Sequence, residues 1–299
     1  MTRKDLWMSS LWGRREFLGL LAASAFAGKA VAATPRIAAI DWAMLETSVA
    51  LGVMPVAATE LIQFRVGAVE PEIPESVVDL GLRGAPNFEL LQLTRPDLIL
   101  ISPFYTRYTG RMESIAPVFS LPFYVKGEPP FGKALAAVSA LGEKLGRADE
   151  ARRVLSETEA ALQAMRTRLA GFSARPTYVI NIGDARHFRA FGADSMFGDV
   201  LGRLGLANAW VDRSQFTFAA PVPLENLAAS PEARIVIVSD IPVEARESLR
   251  NSAIWRALPA ARENRVVTLG NVSPYGGITA GMRFARLLTE ALTAQGEAL

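Results

Sequence analysis

Two short, purely aliphatic runs, Leu98-Ile99-Leu100-Ile101 and Ile235-Val236-Ile237-Val238, constrain this chain more than any other feature. Apolar runs of that length without alternation read as parallel strands covered on both faces. Parallel neighbours need long crossover connections, usually helical, so the chain is expected to build α/β layers. The two runs also echo one another. Glu89-Leu90-Leu91 precedes the first, which ends at Ser102, and Glu225-Asn226-Leu227 precedes the second, which ends at Ser239, with one extra residue in the second copy. A single echo also arises by chance, because helix, turn and buried strand is a common unit. What lies between the copies therefore matters.

Between them, residues 131–172 hold no proline and are rich in Ala, Leu, Glu, Arg and Gln. Val154, Leu155, Ala161, Leu162, Met165 and Leu169 are spaced for one helical face. Gly142 and Gly146 are expected to divide the stretch, leaving a helix from about Ala148 to Leu169, roughly 30 Å long. Strands are expected at Arg36–Ile40, Met54–Ala58, Val77–Leu80, Thr177–Ile182, Ile235–Val238 and Val266–Leu269. Helices are expected near Met44–Leu51, Phe88–Leu93, Ser195–Leu204 and from Ile278. The resulting organisation is a leader over 1–33, an N-terminal α/β lobe over 34–145, a connecting helix within 146–172 and a C-terminal α/β lobe over 173–299. Such lobes leave a cleft at their junction, a common place for small-molecule sites.

The leader reads Gly13-Arg14-Arg15-Glu16-Phe17-Leu18, then a weakly apolar run from Gly19 to Ala27, then Ala30-Val31-Ala32. A charged start, a short apolar stretch and an A-x-A site describe a secretory signal peptide, and paired arginines before Phe-Leu fit the twin-arginine type. The run is far short of the ~20 residues that span a bilayer. With no cysteine to carry a lipid, the exported chain is expected to be a soluble monomer in the periplasm. Residues 1–33 hold five basic side chains against Asp5 and Glu16, leaving 27 basic and 28 acidic groups in the body. The basic excess belongs to the leader, so no nucleic-acid partner is expected.

Zero cysteines and a single histidine, His187, remove disulfide frameworks, zinc ribbons, iron–sulfur clusters, cysteine nucleophiles and polyhistidine metal cages. Nucleophile-elbow, phosphate-loop and dinucleotide fingerprints are missing from the sequence. His187 in Asp184-Ala185-Arg186-His187-Phe188 reads more readily as a locally satisfied histidine than as a general base. No catalytic residue, resident metal or cofactor is expected. An exported enzyme remains the alternative from another class, because twin-arginine cargo often carries redox groups.

Arg83 lies in a loop between a strand and the helix beginning near Pro86, where open α/β sheets place ligands. Its guanidinium can give two parallel hydrogen bonds to adjacent oxygens, or it can simply face water. Phe104-Tyr105-Thr106-Arg107-Tyr108 makes a second, aromatic loop on the same side, and Phe216-Thr217-Phe218 and Ser273-Pro274-Tyr275-Gly276-Gly277 hold comparable positions in the second half.

Taken together, Val78-Asp79-Leu80-Gly81-Leu82-Arg83, Pro86-Asn87-Phe88-Glu89-Leu90-Leu91, Ile115-Ala116-Pro117, Ala185-Arg186-His187, Asn208-Ala209-Trp210 and Trp255-Arg256-Ala257-Leu258-Pro259 resemble the periplasmic ferric-hydroxamate siderophore-binding proteins of ABC importers. The resemblance runs over the whole exported chain. It implies a bilobed class III periplasmic binding protein with a long interlobe helix, a shallow cleft and modest hinge motion. It further implies that Arg83 contacts hydroxamate oxygens around iron, that Tyr105 lines the site, and that iron arrives already saturated by its siderophore. The sequence departs from the pattern on the opposite wall, where Thr217 and Ser273 stand at family tryptophan positions and Ala219 at a small polar one. Phe216, Phe218 or Tyr275 would then supply the apolar surface. Docking to an inner-membrane ABC permease would use one glutamate per lobe, Glu225 in the second and Glu113 in the first. A catecholate siderophore, haem or cobalamin on the same scaffold is the sibling reading, with Arg107, Arg186 and Arg189 available to an anionic cargo.

Overall fold

A computed structural model describes residues 34–212 and 221–297. The expected leader, together with Phe216, Thr217, Phe218 and Ala219, lies outside the described residues. Both aliphatic runs form interior strands of five-stranded sheets. The first sheet comprises β1 (Ile37–Ala39), β2 (Ala57–Ala58), β3 (Val78–Asp79), β4 (Leu98–Ile101) and β5 (Val118–Ser120), in the order β3-β2-β1-β4-β5. All its pairs are parallel. Its crossovers carry the helices α1 (Trp42–Ala50), α2 (Leu61–Gly67), α3 (Phe88–Leu93) and α4 (Thr109–Glu113).

Two long helices follow, α5 (Phe131–Lys144) and α6 (Ala148–Arg168). The second sheet then runs β6 (Thr177–Ile182), β7 (His187–Ala190), β8 (Val222–Pro223), β9 (Arg234–Ile237) and β10 (Val266–Thr268), ordered β10-β9-β6-β7-β8. Here β10, β9 and β6 are parallel, while β7 turns back antiparallel on β6 and β8 on β7. Helices α7 (Met196–Arg203), α8 (Val243–Asn251), α9 (Ala253–Ala257), α10 (Pro259–Arg262) and α11 (Ile278–Glu297) complete the described chain.

Local chemistry accounts for the element ends. Asp41 caps α1 by accepting from the Ala43 and Met44 amides, at 2.7 and 3.2 Å. Ser195 caps α7 by accepting from Gly198 N at 3.0 Å. Gly146, at φ +67°, takes the left-handed turn that separates α5 from α6. Gly142, by contrast, does not divide the stretch. It lies inside α5, where a Cβ would come within 2.6 Å of Ala151 Cβ on α6, so it lets two helices approach closely rather than breaking one.

The strands sort their side chains by the period of two. Ile37, Ala39, Leu98 and Leu100 of the first sheet, with Val179, Val236, Val238 and Val267 of the second half, share one continuous core with α1, α5, α7 and α11. The alternate residues, Ala38, Ile40, Ile99 and Ile101, and on the other side Tyr178, Ile180, Ile182, Ile235 and Ile237, enter separate smaller cores on the outer faces. The central core thus ties the two sheets together, and Pro35–Leu299 is one compact unit. Helix α6 contributes Val154, Leu155, Leu162 and Met165 to that core and is otherwise largely exposed.

Candidate functional site

The loops at the C-terminal ends of β1 to β4 converge on one cluster. Asp41 comes two residues after β1, Glu60 two after β2, Arg83 four after β3 and Tyr105 four after β4. Strand ends of a parallel sheet are where the crevice opens in this architecture.

Arg83 is held tightly. Its backbone N–H donates to Glu60 Oε1 at 3.0 Å and its Nε to Glu60 Oε2 at 2.6 Å, while the guanidinium carbon lies 4.0 Å over the Trp42 ring. The guanidinium therefore has its plane and one edge fixed, and its side chain keeps 28% exposure. Trp42 is itself anchored, with Nε1 donating to Thr59 O at 3.0 Å and an edge-on contact with Phe64. Burial pushes the Tyr105 phenol up to about 12. The nearby carboxylates of Asp41 and Glu60 add to the shift, and the charge and hydrogen bonding of Arg83 oppose it. Asp41 is also raised, first by burial, against hydrogen bonds from Ser102 Oγ at 2.7 Å and the start of α1 and against the charge of Arg83. Arg83 and Tyr105 are thus brought together on one wall.

The loop after β10 carries Ser273 and Tyr275, the second-half candidates among the described residues. Ser273 is buried, and its hydroxyl accepts from Tyr275 N at 3.3 Å, so it shapes the loop, whereas Tyr275 remains half-buried. Tyr275 packs edge-on against Tyr124, 5.5 Å between ring centres, and its raised pKa reflects burial first, opposed by the charge of Arg189 on β7. Tyr124 donates to Gly276 O at 2.5 Å. Glu46 of α1 accepts from Gly277 N and Ala280 N, at 2.7 and 2.9 Å, at the start of α11. Gly276 and Gly277 are required there, because a Cβ at 276 would meet Glu46 Oε1 at 2.3 Å and one at 277 would meet Ala43 O at 2.9 Å. The loop carrying Tyr275 is therefore pinned to the first-lobe helix whose N-cap, Asp41, sits beside Arg83.

The remaining expectations separate. Glu113, at the end of α4, and Glu225, after β8, are both exposed. His187 pairs locally with Asp184, Nδ1 to Oδ1 at 3.1 Å. Arg107 lies 4.6 Å over the Tyr108 ring and donates to its hydroxyl, and Arg186 is exposed. Among the described residues no cluster of His, Asp or Glu is arranged to hold a metal ion, and no helix is long and apolar enough to cross a membrane.

Sequence reasoning missed Asp41, Trp42, Glu60, Tyr124 and Glu46. The first three had a usable signal, since they directly follow the short buried strands β1 and β2. Tyr124 and Glu46 had none, because their roles arise only when α1 meets the loop before α11.

Comparison with known proteins bears on the family and the fold. A family model described as periplasmic binding protein matches residues 37–272. The iron(3+)-hydroxamate-binding protein FhuD of Escherichia coli is 29% identical over 257 residues, 86% of each chain. The crystal structure of Fe3+-Desferal-bound siderophore-binding protein FhuD from Vibrio cholerae superposes with a TM-score of 0.81 at 25% identity, covering 88% of this chain and 99% of that one. The periplasmic catecholate-siderophore-binding protein VctP of Vibrio cholerae shares the fold at 14% identity, TM-score 0.63, covering 87% of this chain and 93% of that one.

Proposed function

We propose, from the premise that the chain belongs to the periplasmic binding protein family, that it captures a ferric hydroxamate siderophore and delivers it to an inner-membrane ABC importer. The observation that carries this reading is Arg83, presented at the sheet's C-terminal edge by Glu60 and Trp42 with Tyr105 beside it. Ferric ion is hard and prefers oxygen, and a hexadentate siderophore satisfies it completely. The protein then needs only to recognise the chelate's outer oxygens and carbon skeleton. Arg83 donates charge-assisted hydrogen bonds to those oxygens, Tyr105 and Tyr275 enclose the skeleton, and Ser273 shapes the loop of Tyr275; Phe216, Thr217 and Phe218, outside the described residues, are proposed to add ligand contacts.

The likeness to the two hydroxamate binders supports this cargo over a catecholate, haem or cobalamin. The fold by itself does not separate them, since VctP shares it. The family and the structural neighbours are binding proteins, which supports capture without catalysis. Exposed Glu113 and Glu225 are assigned to docking on the permease, where rim carboxylates mainly govern encounter rate. The leader directs twin-arginine export to the periplasm, where the protein acts as a monomer. Iron enters only as part of the cargo.

Tryptophan fluorescence tests the reading, because Trp42 underlies Arg83. Titration with ferrichrome at micromolar concentration is expected to quench emission saturably. No change with any ferric hydroxamate overturns the assignment.

A further inference from the structure

We infer that Glu60 determines the charge specificity of the site, holding Arg83 as one half of a neutral pair so that the cleft accepts an uncharged chelate and rejects a polyanionic one. This rests on the functional reading above and adds to it a residue and a selection rule.

Three observations converge on Glu60. It spends both carboxylate oxygens on one residue, Oε1 on the Arg83 amide and Oε2 on Arg83 Nε, so charge and orientation are set by the same contact. The pair is partly withdrawn from water, with side-chain exposures of 28% for Arg83 and 16% for Glu60, so the carboxylate's field is screened less than at an open surface. Finally, Glu60 adopts the left-handed conformation, φ +51°, which is uncommon for a residue with a side chain. Its amide donates to Gly81 O at 2.8 Å in the turn leading to Arg83. A residue held in that conformation at the end of a strand aims its carboxylate across to the next loop, and such outliers concentrate at ligand clamps.

The charge balance follows. Around Arg83 the first-lobe wall carries the carboxyl groups of Glu60, Asp41 and, through its contacts with the Leu61 and Gly81 amides, Asp79, against the one guanidinium of Arg83. Arg107, the next cation along, is engaged with Tyr108. A lone arginine would welcome any oxyanion, whereas an arginine already neutralised offers directional N–H donors without net positive potential. A neutral tris-hydroxamate loses nothing by this arrangement, because its oxygens need donors rather than charge. A trianionic tris-catecholate finds the guanidinium already paired and gains no net attraction from it, while the remaining first-lobe carboxyl groups disfavour its charge, a repulsive element of the kind that specificity requires.

The test compares two ferric chelates across four proteins by fluorescence titration. The proteins are wild type, Glu60→Gln, Glu60→Asp and Arg83→Ala, and the ligands are neutral ferrichrome and trianionic ferric enterobactin. Glu60→Gln is expected to weaken ferrichrome by about tenfold, through lost orientation of Arg83, while strengthening ferric enterobactin. That gain is expected to shrink as salt rises, and Glu60→Asp is expected to restore the wild-type preference. A purely structural role for Glu60 would move both affinities in the same direction. Changes of the same sign, or no change in Glu60→Gln, overturn the inference. If that occurs while Arg83→Ala still loses ferrichrome, the functional reading stands and the charge rule alone fails. A wild-type protein that binds no ferric hydroxamate overturns both.

Discussion

At the scale of single residues, two groups have consequences that can be measured separately. Arg83 makes its proposed contribution through charge-assisted hydrogen bonds, so Arg83→Ala is expected to weaken ferric hydroxamate binding by about 1.5–3 kcal/mol in a calorimetric titration. Unchanged affinity would remove its assigned role. Glu46 is a matter of stability. Burial pushes its carboxyl up to about 8 from an ordinary 4.5, Asp41 adding to the rise and the amides of Ala280 and Gly277 opposing it. Between those values the folded chain holds a proton that the unfolded chain has released. The stabilisation is therefore complete below the lower value and is lost as pH rises through the upper one. Glu46→Gln cannot titrate, so its melting temperature is expected to fall less than that of the wild type between pH 5 and 8. Parallel profiles for the two proteins would refute this. The placement of Arg83 and Tyr105 on strand-end loops was legible in the sequence, because those loops follow recognisable strands. Glu46 was not, because a glutamate inside an apolar helix carries no mark of the amides it will meet some 230 residues later.

Elements were legible where their periodicity is strong. Thr177–Ile182 forms the strand its apolar run implies, and the helix from Ile278 begins where expected. The expected strand Met54–Ala58 shrinks to Ala57–Ala58, since only these two residues find parallel partners on β1. The edge strands β5 and β8, and β7 beside the edge, were not anticipated. They lack a continuous apolar run, being paired at or near the margin of a sheet. The two glycines expected to interrupt residues 131–172 act by different physics. Gly146 relieves a left-handed turn, so Gly146→Ala is expected to cost about 1 kcal/mol of backbone strain. Gly142 permits contact, so Gly142→Ala is expected to cost about 1–3 kcal/mol from overpacking against Ala151, despite the roughly 1 kcal/mol by which alanine favours a helix. Thermal melts check both, with each kcal/mol worth about 2–4 °C in a domain of this size. A Gly142→Ala protein more stable than wild type would show that α5 and α6 are not packed as described.

At the scale of the molecule, the central core shared by both sheets decides how the lobes behave. Large, apolar interdomain contacts oppose independent motion, and Phe131, Phe197 and Phe284 lie fully buried in that core. Unfolding is therefore expected as one cooperative transition, with tryptophan fluorescence and far-ultraviolet circular dichroism coinciding. Two resolved transitions would show that the lobes fold separately. The same core holds the loops carrying Arg83 and Tyr275 in a nearly fixed relation, which, on the proposed function, would suit a rigid chelate whose shape is set by its metal. The most direct test of the whole account is the iron position in crystals grown with ferrichrome, located by anomalous scattering at the iron edge. Iron is expected about 4–5 Å from the Arg83 guanidinium, the reach of one hydrogen bond and one iron–oxygen bond. Iron bound elsewhere on the molecule, or no iron in a saturated crystal, would contradict it.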